Sequence, residues 1–317
     1  MAPRPRLAVT LGDPRGIGPE VVARALAARP LEADIVLVGP DDQLNGIPAR
    51  SRLGVGTWGG GGGEENGVRE GDEARAALAG KLAARAIERA AWLARGGEVD
   101  AIVTGPVNKQ ALHLAGYRHP GVTEFLAQLA GGVDVAMMLT TPKLRVVLVT
   151  THIPLRTVVQ QVTTERVVRV GELARAALQR WFGIAEPRLA VCALNPHAGE
   201  QGLFGDEDTT VLAPAVRALG RGTTGPVPAD TVFVRAMRGE FDAVLTPYHD
   251  VGMTAVKVAG FGQGVNVTLG LPFPRTAPDH GTAFDIAGTG RADPASMRAA
   301  LELAADVARR ISRPAAG

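Results

Sequence analysis

Six short runs rich in valine, leucine, isoleucine and alanine punctuate the chain, at 7–11, 34–38, 99–104, 145–150, 188–194 and 241–246. They are apolar at nearly every position, the pattern of parallel strands covered on both faces. Between and after them, 18–28, 73–95, 164–182, 207–220 and 294–312 carry the helical period. Strand and helix in alternation predict βαβ units and an α/β fold. At 317 residues the chain exceeds what one hydrophobic core usually supports, so two α/β domains are expected. The last helix has a written start, with Asp293 as cap and Pro294 in its first turn, and Pro314 bars its extension.

Three of the six histidines follow such runs closely. RVVLVTT (145–151) leads into His152, RLAVCAL (188–194) leads into Asn195, Pro196 and His197, and FDAVLTPYHDVG (241–252) contains His249. A lone histidine is usually an ordinary surface or core side chain. Three of them at strand ends form a pattern, because ligands of open α/β sheets collect outside the carboxyl ends of the strands. The imidazoles are expected to meet in one cleft or at one interface between clefts. Three neutral nitrogen donors suit Zn²⁺ or another borderline divalent metal.

Other features narrow the class. Lys and Arg total 34 against 32 Asp and Glu, and the basic residues are scattered through helical stretches such as 164–182. That argues against a nucleic-acid partner. The single cysteine, Cys192, lies in an apolar run and reads as a small hydrophobe, in keeping with a reducing compartment. No run is long enough to cross a membrane, and Leu7–Leu11 is too short for a signal segment, so a cytoplasmic protein is expected. Gly54–Gly71, with five glycines in a row at 59–63, reads as a mobile surface loop. GDPRGIGPE (12–20) fails the G-x-G-x-x-G spacing and is either a tight strand-to-helix turn or a wall of the cleft.

Gly264–Pro294 has too many glycines and prolines for one strand or helix, which predicts a long ordered loop near a ligand. Its part His280–Gly290, HGTAFDIAGTG, resembles the adenosine-binding loop of isopropylmalate and isocitrate dehydrogenases. The resemblance implies a nucleotide site at His280, Gly281 and Asp285 without a Rossmann fingerprint. An acid at Asp285 would accept from ribose hydroxyls and repel a 2′-phosphate, favouring NAD over NADP.

The blocks LAVTLGDPRGIGPE, VTGPVNK, GVTEF, VVLVTTHIPLR, LNPHAGEQGLFGDED, PADTVF, YHDVGM and GVNVTLGLPFPRT stand in order along nearly the whole chain. Through them the sequence resembles the 4-hydroxythreonine-4-phosphate dehydrogenase family of pyridoxal phosphate biosynthesis. The resemblance implies a two-domain isocitrate/isopropylmalate dehydrogenase-like fold. Its three-layer α/β/α domains would span 1–128 plus 285–317 and 129–284, with the active-site cleft between them. It also implies a homodimer with a shared active site, the metal being held by His152 and His197 of one chain and His249 of the other. The metal would be zinc, with cobalt, magnesium or manganese as alternatives. The substrate contacts carried over are Thr123, Lys257, Asn266 and Arg275, with Val122 in the same motif, and Lys257, Asp230 and Asp250 take catalytic or supporting roles.

The residue types suit that chemistry. A metal lowers the pKa of the alcohol that loses hydride and neutralises the charge left when the resulting 3-keto acid loses CO₂. Lys257 and Arg275 suit the carboxylate and phosphate ends of the substrate. Two positions depart from the family motifs: Val122 stands where GHTEF has a substrate-contacting histidine, and Val251 where YHDQG has glutamine. Valine donates no hydrogen bond, so a phosphorylated substrate should be held less tightly unless His119, three residues earlier, swings in. Erythronate or threonate 4-phosphate and aromatic dihydrodiols are alternative substrates. A phosphate-dependent acyltransferase, which would not need the HGTAFDIAG loop, and a non-catalytic binding protein are the alternatives outside dehydrogenases.

Overall fold

The computed structural model describes residues 4–59, 72–260 and 262–312. From the N terminus run β1 (Arg6–Thr10), α1 (Gly18–Ala27), β2 (Asp34–Gly39), β3 (Ser51–Gly54), α2 (Asp72–Arg95), β4 (Ala101–Thr104), α3 (Lys109–Leu114) and α4 (Val122–Leu129). Then come β5 (Ala136–Thr140), β6 (Arg145–Leu148), α5 (Leu155–Gln161), α6 (Thr164–Arg180), β7 (Leu189–Cys192), α7 (Ala213–Leu219), β8 (Thr223–Val227), α8 (Ala229–Met237), β9 (Ala243–Thr246), α9 (His249–Gly260) and β10 (Val265–Leu269). The chain closes with β11 (Arg275–Pro278) and α10 (Ala295–Ser312). All six apolar runs are strands, and the Asp293 carboxylate accepts from the Ala295 amide at 2.9 Å, at the start of α10 as expected.

The chain forms two compact units, Met1–Asp134 with Leu271–Gly317, and Val135–Gly270. The crossing points thus fall six residues after the expected 128 and fourteen before the expected 284. Leu271–Phe284 goes with the first unit because β11 pairs with β4, Arg275 opposite Ile102 and Thr276 opposite Val103.

In the first unit the strand order is β3-β2-β1-β4-β11, and every pairing is parallel. β4 is buried along its whole length, as covering on both faces requires. Gly80 lets α2 lie against α3: an added Cβ would meet the Ala111 carbonyl oxygen at 2.0 Å. In the second unit the order is β10-β5-β6-β9-β7-β8. Here β10 with β5 and β5 with β6 are antiparallel, while β6, β9, β7 and β8 are mutually parallel. Its core gathers Leu139, Val146, Leu148, Ala190, Val244 and Phe241.

Two loop expectations are corrected. The long loop over 264–294 contains β10 and β11. Valines 265 and 267 and Leu269 supply a strand pattern, and the prolines at 274 and 278 flank the paired residues of β11 where no amide donor is needed, Pro274 instead accepting from the Ile102 amide at 2.9 Å. The start of the Gly54–Gly71 loop is fixed: Asp42 accepts from the amides of Trp58 (2.9 Å) and Gly59 (3.0 Å), and the Trp58 side chain packs with Ala79 and Leu82. Residues 60–71 of that loop lie outside the described residues.

Candidate active site

Strand order explains where the histidines fall. His152, His197 and His249 follow β6, β7 and β9, three parallel strands standing in the order β6-β9-β7, so all three leave the same edge of the sheet. The ring centroids of His152 and His249 are 5.3 Å apart with the planes tilted by 46°. Two imidazoles bound to one tetrahedral ion through nitrogens at about 2.0–2.1 Å would have centroids about 5.2 Å apart, so this pair fits a divalent metal. The His249 Nδ1–H donates to Asp250 Oδ1 at 2.7 Å, which fixes the tautomer and leaves Nε2 as the donor nitrogen. The resemblance implied that His152 and His197 meet within one chain. Within one chain His152 and His249 approach each other, because β6 and β9 are neighbours, while His197 follows β7, one strand further on. Among the described residues no three His, Cys, Asp or Glu side chains gather closely enough to hold a metal.

His197 opens a strained segment. His197, Ala198, Gly199, Glu200 and Gln201 all have positive φ, between 41° and 81°. Left-handed backbone costs about 1–2 kcal/mol for each non-glycine residue, so the surroundings must hold it. Just before this segment the chain is anchored by Asp208, fully buried, whose carboxylate accepts from the amides of Leu194 (2.9 Å) and Asn195 (3.0 Å). The Asn195 side chain donates to Glu207 at 2.7 Å. Burial, with the nearby Asp208 charge second, pushes the Cys192 thiol up to about 12, so Cys192 is the inert hydrophobe its sequence position predicts. Asp208 was not singled out from the sequence, although it closes the GDED stretch of the NPHAGE block.

The remaining second-unit candidates surround α9 and β10. Lys257 is exposed in the last turn of α9, eight residues from His249 and therefore about 12 Å along the helix. Asn266 on β10 has a buried Oδ1 without a hydrogen-bond partner. Asp230, in the first turn of α8, is exposed.

In the first unit the dominant feature is Arg275. Its side chain is buried, with 4 % of the residue exposed, and donates through Nε (3.1 Å) and Nη2 (2.6 Å) to Thr104 Oγ1. Burial pushes the guanidinium down to about 10, opposed by the Glu124 carboxylate. It stays cationic at neutral pH, and a guanidinium can hold an anionic group in a forked, charge-assisted contact. Glu124 follows Val122 and Thr123 in the first turn of α4, which places that turn in the field of Arg275. Val122 is half-buried and Thr123 buried. His119 does not swing toward Val122: its ring stacks on Phe125, centroids 4.9 Å apart at 16°. Thr104 and Glu124 were missed as site residues, though both lie in quoted motif blocks. In the proposed cofactor loop, His280 Nδ1 contacts the Gly281 carbonyl at 3.1 Å while its Nε2 is buried without a partner. An orphaned buried nitrogen on this loop is consistent with a ligand site there. Asp285 is exposed.

A family model described as pyridoxal phosphate biosynthetic protein PdxA matches residues 70–304. The chain belongs to this family. D-threonate 4-phosphate dehydrogenase of Salmonella typhimurium is 45% identical over 333 residues, covering 95% of this chain and 98% of the relative. 4-Hydroxythreonine-4-phosphate dehydrogenase of Beijerinckia indica is 44% identical over 323 residues, covering 94% of each. Among solved structures of the PdxA family, that of 4-hydroxythreonine-4-phosphate dehydrogenase from Klebsiella pneumoniae superposes with a TM-score of 0.81 at 43% identity, covering 96% of this chain and 98% of that one.

Proposed function

We propose that this chain is an NAD-linked, metal-dependent dehydrogenase. It oxidises 4-phosphohydroxy-L-threonine to 2-amino-3-oxo-4-phosphooxybutanoate, which loses CO₂ to give 3-amino-2-oxopropyl phosphate. The observation that carries this reading is the His152–His249 pair at 5.3 Å, at the carboxyl ends of neighbouring strands. A divalent ion there, zinc first with cobalt, magnesium or manganese as alternatives, would lower the pKa of the hydroxyl being oxidised and offset the charge left by CO₂, while NAD accepts the hydride.

The chain's own groups hold and orient. Arg275 takes one anionic end of the substrate in a forked geometry, assisted by the Thr123 hydroxyl, and Lys257 takes another. Asn266 offers its buried Oδ1 to a donor on the substrate. Asp250 orients His249 through Nδ1, and Asp230 is assigned the second supporting acid. His280, Gly281 and Asp285 receive the adenosine half of the cofactor, with the acid favouring NAD over NADP.

Two copies share the site in this reading. Leu155 and Val159 on α5, Leu203 and Phe204 after the His197 segment, Met237 on α8 and Val258 on α9 are large apolar side chains left exposed. They sit on the elements that carry or adjoin the histidines, Asp230 and Lys257, and a second chain would cover them. Among the described residues no helix is long and apolar enough to cross a membrane, and a cytoplasmic location is assigned.

A second reading, D-threonate 4-phosphate as substrate, is favoured by relatives such as that of Salmonella typhimurium. The two substrates differ at C2, ammonium against hydroxyl. Measuring kcat/KM for both, with NAD and with NADP, before and after chelation, decides between them. A higher kcat/KM for the threonate would replace the first reading with the second. No NAD reduction with either substrate, or full turnover after chelation, would overturn both.

A further inference from the structure

The GDPRGIGPE turn is not absorbed by the roles above, and the structure ties it to the loop assigned to adenosine. Ile17 donates its amide to the Thr282 carbonyl at 2.9 Å, and Gly16 approaches so closely that an added Cβ would meet Thr282 O at 2.7 Å. Gly288 at the far side of the loop donates to Glu20 Oε2 at 3.0 Å. The loop is thus fixed at both ends by the turn and the first helical residues after it. Between these ties, Ala283 adopts left-handed backbone (φ 41°, ψ 60°), a conformation unfavourable for alanine, and Phe284 follows with 44 % of its surface exposed.

Phe284 is not simply left in solvent. The Arg15 guanidinium carbon stands 4.9 Å from the ring centroid. The guanidinium itself is held from behind by Asp13, fully buried: Nε and the Arg15 amide donate to Oδ1 at 3.0 Å each, and Nη2 donates to Oδ2 at 2.8 Å. A two-point contact of this kind fixes the plane of the guanidinium as a lysine could not. A cation on one face of a ring draws π density toward itself, so the opposite face becomes a better partner for an electron-rich planar heterocycle.

We propose that the Arg15–Phe284 pair is the stacking platform for the adenine ring of the dinucleotide, with Phe284 the contacting surface and Arg15 a positioning residue behind it. The proposal rests on the cofactor reading above and adds to it which side chains hold the adenine. Reading the base by stacking also lets the preference between NAD and NADP lie elsewhere, at Asp285.

The test is titration of the purified full-length protein with NADH, followed by displacement with AMP, which carries the adenine but no nicotinamide. In the wild type NADH binds and AMP displaces it. Phe284→Leu and Arg15→Ala each weaken NADH and AMP binding about tenfold, in parallel, while Phe284→Tyr keeps wild-type affinity. Phe284 is exposed, so Phe284→Leu is expected to fold even if Arg15→Ala does not; thermal melting checks both. NADH affinity within twofold of wild type in folded Phe284→Leu overturns the platform and leaves the contact a structural staple. Failure of AMP to displace NADH from the wild type overturns it too. A wild-type protein that binds neither NADH nor NADPH overturns the cofactor reading itself, a result distinct from the others.

Discussion

The two units solve the same problem with different sheets. The first is wholly parallel, and it offers a buried cation, Arg275, at the start of β11 with its side chain on Thr104 at the carboxyl end of β4, and a backbone loop fixed by the GDPRGIGPE turn. The second is mixed, and only its parallel stretch β6-β9-β7 follows strands with the histidines; the antiparallel strands β10 and β5 contribute Asn266 alone. The contrast teaches that one-sided strand ends are what gather ligating side chains. Parallel neighbours deliver their carboxyl ends to one edge, whereas an antiparallel neighbour delivers an amino end there.

The largest expected effect tests the second unit. His152→Ala, His197→Ala and His249→Ala should each lower kcat/KM at least about a thousandfold, since a metal's charge stabilisation is worth several kcal/mol. Mixing the variants pairwise then reports how two copies share the site. Recovery of roughly a quarter of wild-type activity, the share random exchange allows, means that the two altered histidines come from different chains. No recovery in any pair, with subunit exchange verified, breaks the shared-site reading.

Next is the first unit. Arg275→Met should lower kcat/KM about a hundredfold or more, because a buried guanidinium meets an anionic group through charge-assisted, forked hydrogen bonds that methionine cannot make. Phosphate should raise the melting temperature of the wild type and not of the variant. Equal phosphate stabilisation in both would remove Arg275 from anion binding.

A smaller effect joins the strained turn to the metal. Asp208→Asn removes the charge that two amides point at and should weaken metal affinity about tenfold to a hundredfold, read by competition with a chelating dye, with NADH binding unchanged. Unchanged metal affinity would make the clamp irrelevant to His197.

The smallest effect concerns Cys192. Its thiol is pushed up to about 12, so iodoacetamide should not label the native protein at pH 8 but should label it once unfolded. The sign follows: the folded state keeps the proton longer than the unfolded one, so this residue's contribution to stability is complete below the ordinary thiol pKa and is lost as pH rises toward about 12. Rapid native labelling at pH 8 would contradict that burial.

Much of this was written in the sequence, because it depends on local order. Short continuous apolar runs rich in β-branched residues fit strands covered on both faces, and β1, β2, β4, β6, β7 and β9 all stand where such runs stand. The Asp293 cap, the inert Cys192 and the histidines at strand ends are equally local, and the motif blocks carried the family. Strands whose partners supply the reason for them were less legible: β11 reads as loop until β4 lies beside it. What tertiary structure alone decided is which side chains meet. His152 reaches His249 because β9 inserts between β6 and β7, an order no spacing along the chain encodes. Asp208 reaches back to the Leu194 and Asn195 amides, and Arg15 finds Phe284 from the far end of the chain. Such pairings are set by packing between segments distant in sequence, where the energy of a contact depends on geometry that composition and periodicity do not contain.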